Sequence, residues 1–253
     1  MNAQGPEPDE AGISWAPDRP VPAVDVPPIV ADLAAGAPIT LVWQNDLGGH
    51  TYRIDRRTGS EFVKWCPDHA EIDLELEAAK LTWAGQYVSV PPVIGHGRDS
   101  ATSAWLHTVG IPGTTAIAAE WKAEPETAVR AIGAGLRTLH DRLPVADCPW
   151  GWDVDDRAEL IKEPTDRVLI IERPETDRIV VCHGDACSPN TLIGADGHFT
   201  GHVDFGNLGI GDRWADLAIA TYAVDWNYDP ACEDALLEAY GIDRDQDRID
   251  YYR

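Results

Sequence analysis

Ile179-Val180-Val181-Cys182-His183-Gly184-Asp185-Ala186-Cys187-Ser188-Pro189-Asn190 runs from an apolar strand straight into polar groups. Further along, His202-Val203-Asp204-Phe205-Gly206 repeats the design: a strand delivers an acid into a glycine turn. Strand ends are rigid, so two acids and an amide presented in this way can converge on one point.

Asp185, Asn190 and Asp204 are residue types that phosphoryl transfer uses. One carboxylate accepts or orients the attacking hydroxyl, while an amide oxygen and a second carboxylate hold Mg²⁺ on a nucleotide. An Asp-x4-Asn loop followed by Asp-Phe-Gly matches the layout of protein-kinase catalytic and metal-binding loops. Either motif alone is a weak signal, and the order and separation of the two give the pattern its weight. His183 reads as a residue that orients the loop by hydrogen bonds, and Cys182 and Cys187 as small buried side chains.

Outward from this region the chain changes texture. Residues 1–28 hold seven prolines among acids and small residues, an irregular arm with little capacity for a core of its own. Short β-rich runs follow over 39–43, 51–55, 61–66 and 104–109, with glycine-containing turns between the first three. The spacing predicts a helix over 72–84 with Leu76, Ala79 and Trp83 on its inner face. Beyond a junction at 108–113 the chain reads mainly as helix, over 129–143, 214–224 and 235–240, with Pro144 closing the first. The expected fold is α+β: a β-rich lobe over 29–110 and a mainly helical lobe over 111–253.

The β-rich part holds one conspicuous cation. Only four lysines (64, 80, 122 and 162) stand among 20 basic residues. The strand period puts Lys64 on one face with Phe62 and Cys66, where an ammonium is costly unless an anion meets it. Glu77 on the 72–84 helix is the expected partner, with Glu75 and Glu71 as weaker ones. The loop Asn45-Asp46-Leu47-Gly48-Gly49-His50 is placed to cover phosphates, but it fits neither common phosphate-binding glycine pattern.

Composition narrows the function. The chain has 253 residues, 44% of them hydrophobic, enough for one large domain or two lobes. No apolar run is long enough to span a membrane, and residues 1–10 do not resemble a signal peptide. Five cysteines without paired spacing fit a reducing compartment, so a cytoplasmic location is expected. A net charge of -23 repels phosphate backbones and anionic lipid, which argues against nucleic-acid and membrane partners. The same charge attracts small polycations.

From about Leu41 onward the sequence resembles the aminoglycoside phosphotransferase family, in its 3'- and 3''-types. The resemblance is carried by Val181–Asn190, by Gly201-His202-Val203-Asp204-Phe205-Gly206-Asn207-Leu208-Gly209-Ile210-Gly211-Asp212-Arg213-Trp214-Ala215-Asp216-Leu217-Ala218, and by shorter echoes at Leu139-His140, Val145–Trp150 and Tyr240-Gly241-Ile242. It implies a protein-kinase-like two-lobed fold and transfer of the γ-phosphate of ATP, or GTP, to a hydroxyl of an aminoglycoside, with resistance as the outcome. By motif position Asp185 would be the catalytic acid, Asn190 and Asp204 the Mg²⁺ ligands, and Lys64 with Glu77 the phosphate-positioning pair. Main-chain groups of His107, Thr108, Val109 and Gly110 would receive the nucleobase. Arg213 and Asp216 would brace the catalytic loop from behind. The ammonium groups of the acceptor would meet acids drawn from Asp153, Asp155, Asp156, Glu159, Asp225, Asp229 and Glu233. Two departures stand out: the stretch between Pro149 and His183 is shorter than in the drug-modifying members, and the sequence stops at Tyr251-Tyr252-Arg253, where the resemblance implies a further short acidic, aromatic-ended tail.

The presence of Lys64, Asp185, Asn190 and Asp204 together argues against a catalytically silent nucleotide-binding module, and two other readings compete. One is a kinase of the same fold acting on another hydroxylated, cationic metabolite. The other is a metal-dependent hydrolase built on His183, Asp185, His202 and Asp204.

Overall fold

A computed structural model describes residues 25–45, 47–69, 71–153 and 174–253. By their contacts these residues form two compact units. One holds the residues up to Ala78 together with Val93–Gly110, and the other holds Ala79–Pro92 with Ile111–Arg253. Of the arm expected over 1–28, residues 1–24 lie outside the described residues. Pro28 is already helical, the first residue of α1 (Pro28–Ala34), where a missing N–H costs nothing.

The first unit is a five-stranded antiparallel sheet in the order β1-β2-β3-β5-β4. Its strands are β1 (Ile39–Gln44), β2 (His50–Arg56), β3 (Gly59–Pro67), β4 (Val93–Ser100) and β5 (Ser103–Val109). Alternation on β2 turns Tyr52 and Ile54 inward, where they meet Val63 of β3 and Val30 and Ala34 of α1. The sequence pattern misses β4, because Gly95, Gly97 and polar neighbours erase its period.

Helix α2 (Leu74–Ala84) corrects the expected inner face. Leu74, Glu77, Ala78, Lys80, Leu81 and Ala84 are buried, whereas Ala79 is exposed and Leu76 and Trp83 are only half-buried. Two charged residues occupy the inner stripe, so an apolar period cannot find it.

In the second unit, α4 (Pro125–Arg142) follows the short α3 (Ala119–Lys122). Its Val129, Ile132, Leu136 and Leu139 line one stripe and are buried at the expected helical spacing. They pack with α5 (Trp214–Asn227), α6 (Glu233–Tyr240) and α7 (Gln246–Tyr252) around Trp214, Leu217, Leu236 and Tyr240. No helix among the described residues is long and apolar enough to cross a membrane.

Five short strands complete this unit: β6 (Thr114–Thr115), β7 (Ile179–Cys182), β8 (Thr191–Ile193), β9 (Phe199–His202) and β10 (Gly209–Asp212). Their register positions the polar loops. Cys182 pairs with Gly209, and Thr191 pairs with His202. Residues 183–190 and 203–208 are thus bracketed at both ends and held opposite each other.

Contact between α4 and α6 depends on Gly133, where a Cβ would lie 2.2 Å from the Leu236 carbonyl oxygen. That neighbour is backbone and cannot swing aside. Gly133→Ala should therefore lower stability by about 1–3 kcal/mol, read as a reduced urea midpoint with an unchanged slope.

Candidate active site

The buried carboxylate of Asp216, near the start of α5, holds the first loop. Its Oδ2 accepts from the His183 main-chain N–H at 2.6 Å and its Oδ1 from that of Gly184 at 2.9 Å. The His140 ring on α4 reaches Oδ2 through Nε2 at 2.9 Å, and its Nδ1 meets the Tyr240 hydroxyl of α6 at 2.9 Å. Burial pushes the Asp216 carboxyl up, but the hydrogen bond and charge of His140 and the loop amides outweigh it and hold the group below the usual carboxylate range. Asp216 thus braces the loop from behind, as the resemblance implies. Arg213 instead ties Asp177, the residue two before β7, through Nε at 2.6 Å.

Gly184 takes φ +85°, and a Cβ there would meet the Asn207 carbonyl at 2.2 Å. Only glycine lets the two loops approach this closely. His183 closes them: its Nε2 lies 2.9 Å from the Val203 carbonyl, and its Nδ1 accepts the Asp185 N–H at 3.3 Å. The carbonyl can only accept and the amide can only donate, so Nε2 carries the proton. His202 is fully buried, and burial takes its pKa down to about 3. Both His183 nitrogens are committed, so the His183–His202 pair does not form a ligand set for hydrolysis. Among the described residues, one cluster has three side chains spaced for a metal: His140, Cys182 and Asp216. There Asp216 and His140 are already taken up by the loop and Tyr240.

Asp185, Asn190 and Asp204 come together. The Asn190 Nδ2 donates to the Asp185 main-chain oxygen and to its Oδ2, each at 3.0 Å. Burial raises the Asp185 carboxyl, and the negative charge of Asp204 raises it further, against His183, Cys187 and Asn190. Cys187, expected to be merely a small buried residue, is half-buried beside Asp185. Its thiol is pushed far up by burial and by that carboxylate, so it stays protonated. Asp204 sits at φ +67°, a left-handed conformation costing a non-glycine residue roughly 1–2 kcal/mol. The set fits Mg²⁺. Both N–H bonds of Asn190 are spent on Asp185, which leaves its oxygen side for a cation, and two mutually repelling carboxylates are hard donors that a divalent ion relieves.

In the first unit, Lys64 Nζ meets Glu77 Oε1 at 2.7 Å, with the Glu77 side chain 5% exposed. β5 carries the expected nucleobase segment. The His107 ring is buried against Glu61 Oε2 at 2.9 Å, and the Thr108 hydroxyl is 3.5 Å from the Phe62 carbonyl, so both side chains are used within the sheet. Arg56 also bonds Glu61 and, with His107, holds that carboxyl below its ordinary range against burial. The Gly110 N–H donates to the Ser60 carbonyl at 2.8 Å. Alternation then turns the Val109 main-chain groups toward the other edge, past the final register pair of Val93 with Thr108.

Among the described residues, the acids of the pool have different surroundings. Asp155, Asp156 and Glu159 lie outside the described residues, and Asp153 is half-buried. Asp229 caps a short turn by accepting the Ala231 N–H at 2.9 Å. Asp225 and Glu233 lie together between Arg244 and Arg253: Glu233 meets them at 2.7 and 2.6 Å, and Asp225 meets Arg253 at 3.2 Å. Burial and hydrogen bonding to Glu233 raise the Asp225 carboxyl to about 6, so the two acids share a proton. Sequence reading notes His140 and Tyr240 only as parts of the resemblance and Lys80 only as one of four lysines, and gives none of them a task. Each acts through a partner far away in the chain, and only the charge of Lys80 hinted at it.

An antiparallel sheet bearing a lysine–glutamate pair, and a helical unit presenting Asp-x4-Asn beside Asp-Phe-Gly, define the protein-kinase-like class. The model of the phosphotransferase enzyme family matches residues 44–252, and the chain belongs to that family. It is 34% identical over 246 residues to an aminoglycoside 3'-phosphotransferase of Streptomyces ribosidificus, spanning 84% of this chain and 92% of that protein. Among solved structures it is similar to an aminoglycoside-3'-phosphotransferase of type VIII, at 29% identity and a TM-score of 0.71, over 86% of this chain and 92% of that one. It is also similar to the aminoglycoside phosphotransferase APH(3'')-Id of Streptomyces rimosus in complex with ADP and streptomycin. That match has 26% identity and a TM-score of 0.66, over 91% and 97% of the two chains.

The Asp225–Glu233 pair has a measurable signature. A carboxyl whose folded pKa is raised binds its proton more tightly in the folded state. Its stabilising contribution is present at low pH and is lost as pH rises from the ordinary value of about 4 through about 6. Relative to the parent, Asp225→Asn should therefore gain melting temperature between about pH 5 and about pH 8. A difference that stays constant across that range would mean that the two acids do not share a proton.

Proposed function

We propose that this protein is an ATP-dependent kinase that transfers the γ-phosphate to a hydroxyl of an aminoglycoside, of the 3'- or 3''-type, and so confers resistance. The observation that carries the reading is the complete phosphoryl-transfer set, Lys64 paired with Glu77 and Asp185 bonded to Asn190 beside Asp204, in a chain related to 3'- and 3''-phosphotransferases. GTP would serve in place of ATP if the base contacts are main-chain only. Residues 29–110 act as the nucleotide-binding lobe and 111–253 as the catalytic and acceptor-binding lobe, in the cytoplasm, where the nucleotide is supplied.

Each residue has a task that follows from its surroundings. The Asn190 amide fixes the Asp185 carboxylate, which accepts the acceptor hydroxyl's proton as the oxygen attacks the γ-phosphorus in line and the bond from that phosphorus to the departing ADP oxygen breaks. Lys64, oriented by Glu77, holds nucleotide phosphate oxygens, and the Val109 main chain with its neighbours in His107–Gly110 receives the base. Asn190 and Asp204 would hold Mg²⁺, which when bound neutralises charge on the phosphates. The bond from Asn190 orients the Asp185 carboxylate, whose role is toward the hydroxyl. The acceptor's ammonium groups meet the negative field of the chain, with Asp153, Asp155, Asp156 and Glu159 as candidate acids of the pool. Asp225 and Glu233, already neutralised by Arg244 and Arg253, contribute less.

Incubating the protein with Mg-ATP and a panel of streptomycin, kanamycin and unrelated amino sugars should add one phosphate to an aminoglycoside, read by mass spectrometry. Modification of another amino sugar alone would move the acceptor to a different cationic metabolite. Asp185→Asn should lower turnover by about 10²-fold or more with nucleotide affinity little changed, and near-parental turnover would remove Asp185 from its role.

A further inference from the structure

Lys80 is a buried cation that the phosphoryl-transfer set does not use. It lies on α2, 5% exposed, one helical step beyond Glu77 on the same buried stripe. Its Nζ donates to the main-chain carbonyl of Gly206 at 2.7 Å and lies 5.8 Å from the centroid of the Trp150 ring. Trp83, also on α2, meets the Trp150 ring edge-on at 5.8 Å. An ammonium so far from water needs acceptors whose positions are fixed, and it fixes them in return.

Gly206 is the second residue of the turn Phe205–Leu208, two positions after Asp204. Phe205 is fully buried and packs on the His183 ring at 4.8 Å, and the Leu208 N–H returns to the Phe205 carbonyl at 3.1 Å. On the upstream side the Val203 N–H is bonded to the Asn190 carbonyl at 3.0 Å. Gly206 itself has no side chain to anchor it, and a Cβ there would touch nothing within 4 Å. Gly206 can therefore be held directly only through its main chain, whose carbonyl takes the Lys80 ammonium. Asp204, two residues earlier, sits at φ +67°, a conformation that persists only where the surroundings over-determine it.

We infer that Lys80 is a positioning residue for the metal-binding turn: by holding the Gly206 carbonyl it keeps Asp204 in its left-handed conformation and its carboxylate aimed at the divalent ion. The inference rests on the function proposed above. It predicts that Lys80 governs metal affinity without touching metal, nucleotide or acceptor. Arginine at position 80 retains a buried donor of similar reach, glutamine retains a neutral donor of shorter reach, and methionine retains only the stem.

The test is Mn²⁺ binding to the protein–ADP complex, followed by electron paramagnetic resonance, in the parent, Lys80→Met, Lys80→Gln, Lys80→Arg and Asp204→Ala. Lys80→Met should weaken Mn²⁺ at least tenfold while metal-free ADP affinity changes less than about threefold, and Lys80→Arg should restore most of the loss. Should Lys80→Met not fold, Lys80→Gln against Lys80→Arg carries the same comparison. Parent-like Mn²⁺ affinity in a folded Lys80→Met or Lys80→Gln overturns the inference, as does equal weakening of metal and metal-free nucleotide. The phosphotransfer reading fails separately, if the parent binds no Mn²⁺ or Asp204→Ala binds it unchanged.

Discussion

A carboxylate with no access to water, Asp216, turns an apolar strand end into a rigid loop. Its two oxygens take main-chain N–H groups of His183 and Gly184 and the His140 ring, and these donors keep it ionised against burial. Removing one partner from such a buried arrangement typically costs about 3–5 kcal/mol, far more than a solvated pair, so the loop has little freedom to leave. The direction in which β7 delivers Asp185 is therefore set by a residue on α5, which His140 and Tyr240 connect to α4 and α6. Helices that share the hydrophobic core also set the aim of the catalytic loop.

That arrangement explains which parts of the molecule could be read in advance. Asp185, Asn190 and Asp204 stand out because their chemistry restricts residue type and they follow apolar strands directly. Lys64 stands out because a cation among apolar neighbours has few explanations. The core face of α4 follows from helical period alone. By contrast β4, with two glycines and polar residues, has no period to detect, and the inner face of α2 was assigned to the wrong residues because Glu77 and Lys80 occupy it. His140 looks like any helix-end histidine until Asp216, distant in sequence, lies against it.

The acids show the same limit from the other side. A net charge of -23 invites the view that acidic residues await a cationic ligand. Several are instead internal fixtures. Glu61 gathers Arg56 and His107, Asp177 gathers Arg213 and Trp214, and Glu233 gathers Arg244 and Arg253. Charge totals describe the long-range field felt by an approaching polycation, whereas contacts are decided by which carboxylates lack a cation already. Sequence composition yields the first quantity and is blind to the second.

Three buried charges share one placement rule. Glu77 faces Lys64, Lys80 faces the Gly206 carbonyl and Asp216 faces two loop amides, so each of the three meets either a strand-borne cation or the main chain of a loop. An apolar side chain could fill the same volumes at lower desolvation cost, but it would hold a loop only by contact, with no preferred direction. Hydrogen bonds to ions are directional and short, so they set where a carbonyl or an amide points as well as how far away it lies. In-line phosphoryl transfer depends on alignment of attacking and leaving oxygens, and small misplacements are expensive in rate. These three buried charges therefore sit on α2 and α5 where direction matters, each aimed at a member of the phosphoryl-transfer set or at the main chain of its loops, whereas the buried Glu233 answers Arg244 and Arg253 instead.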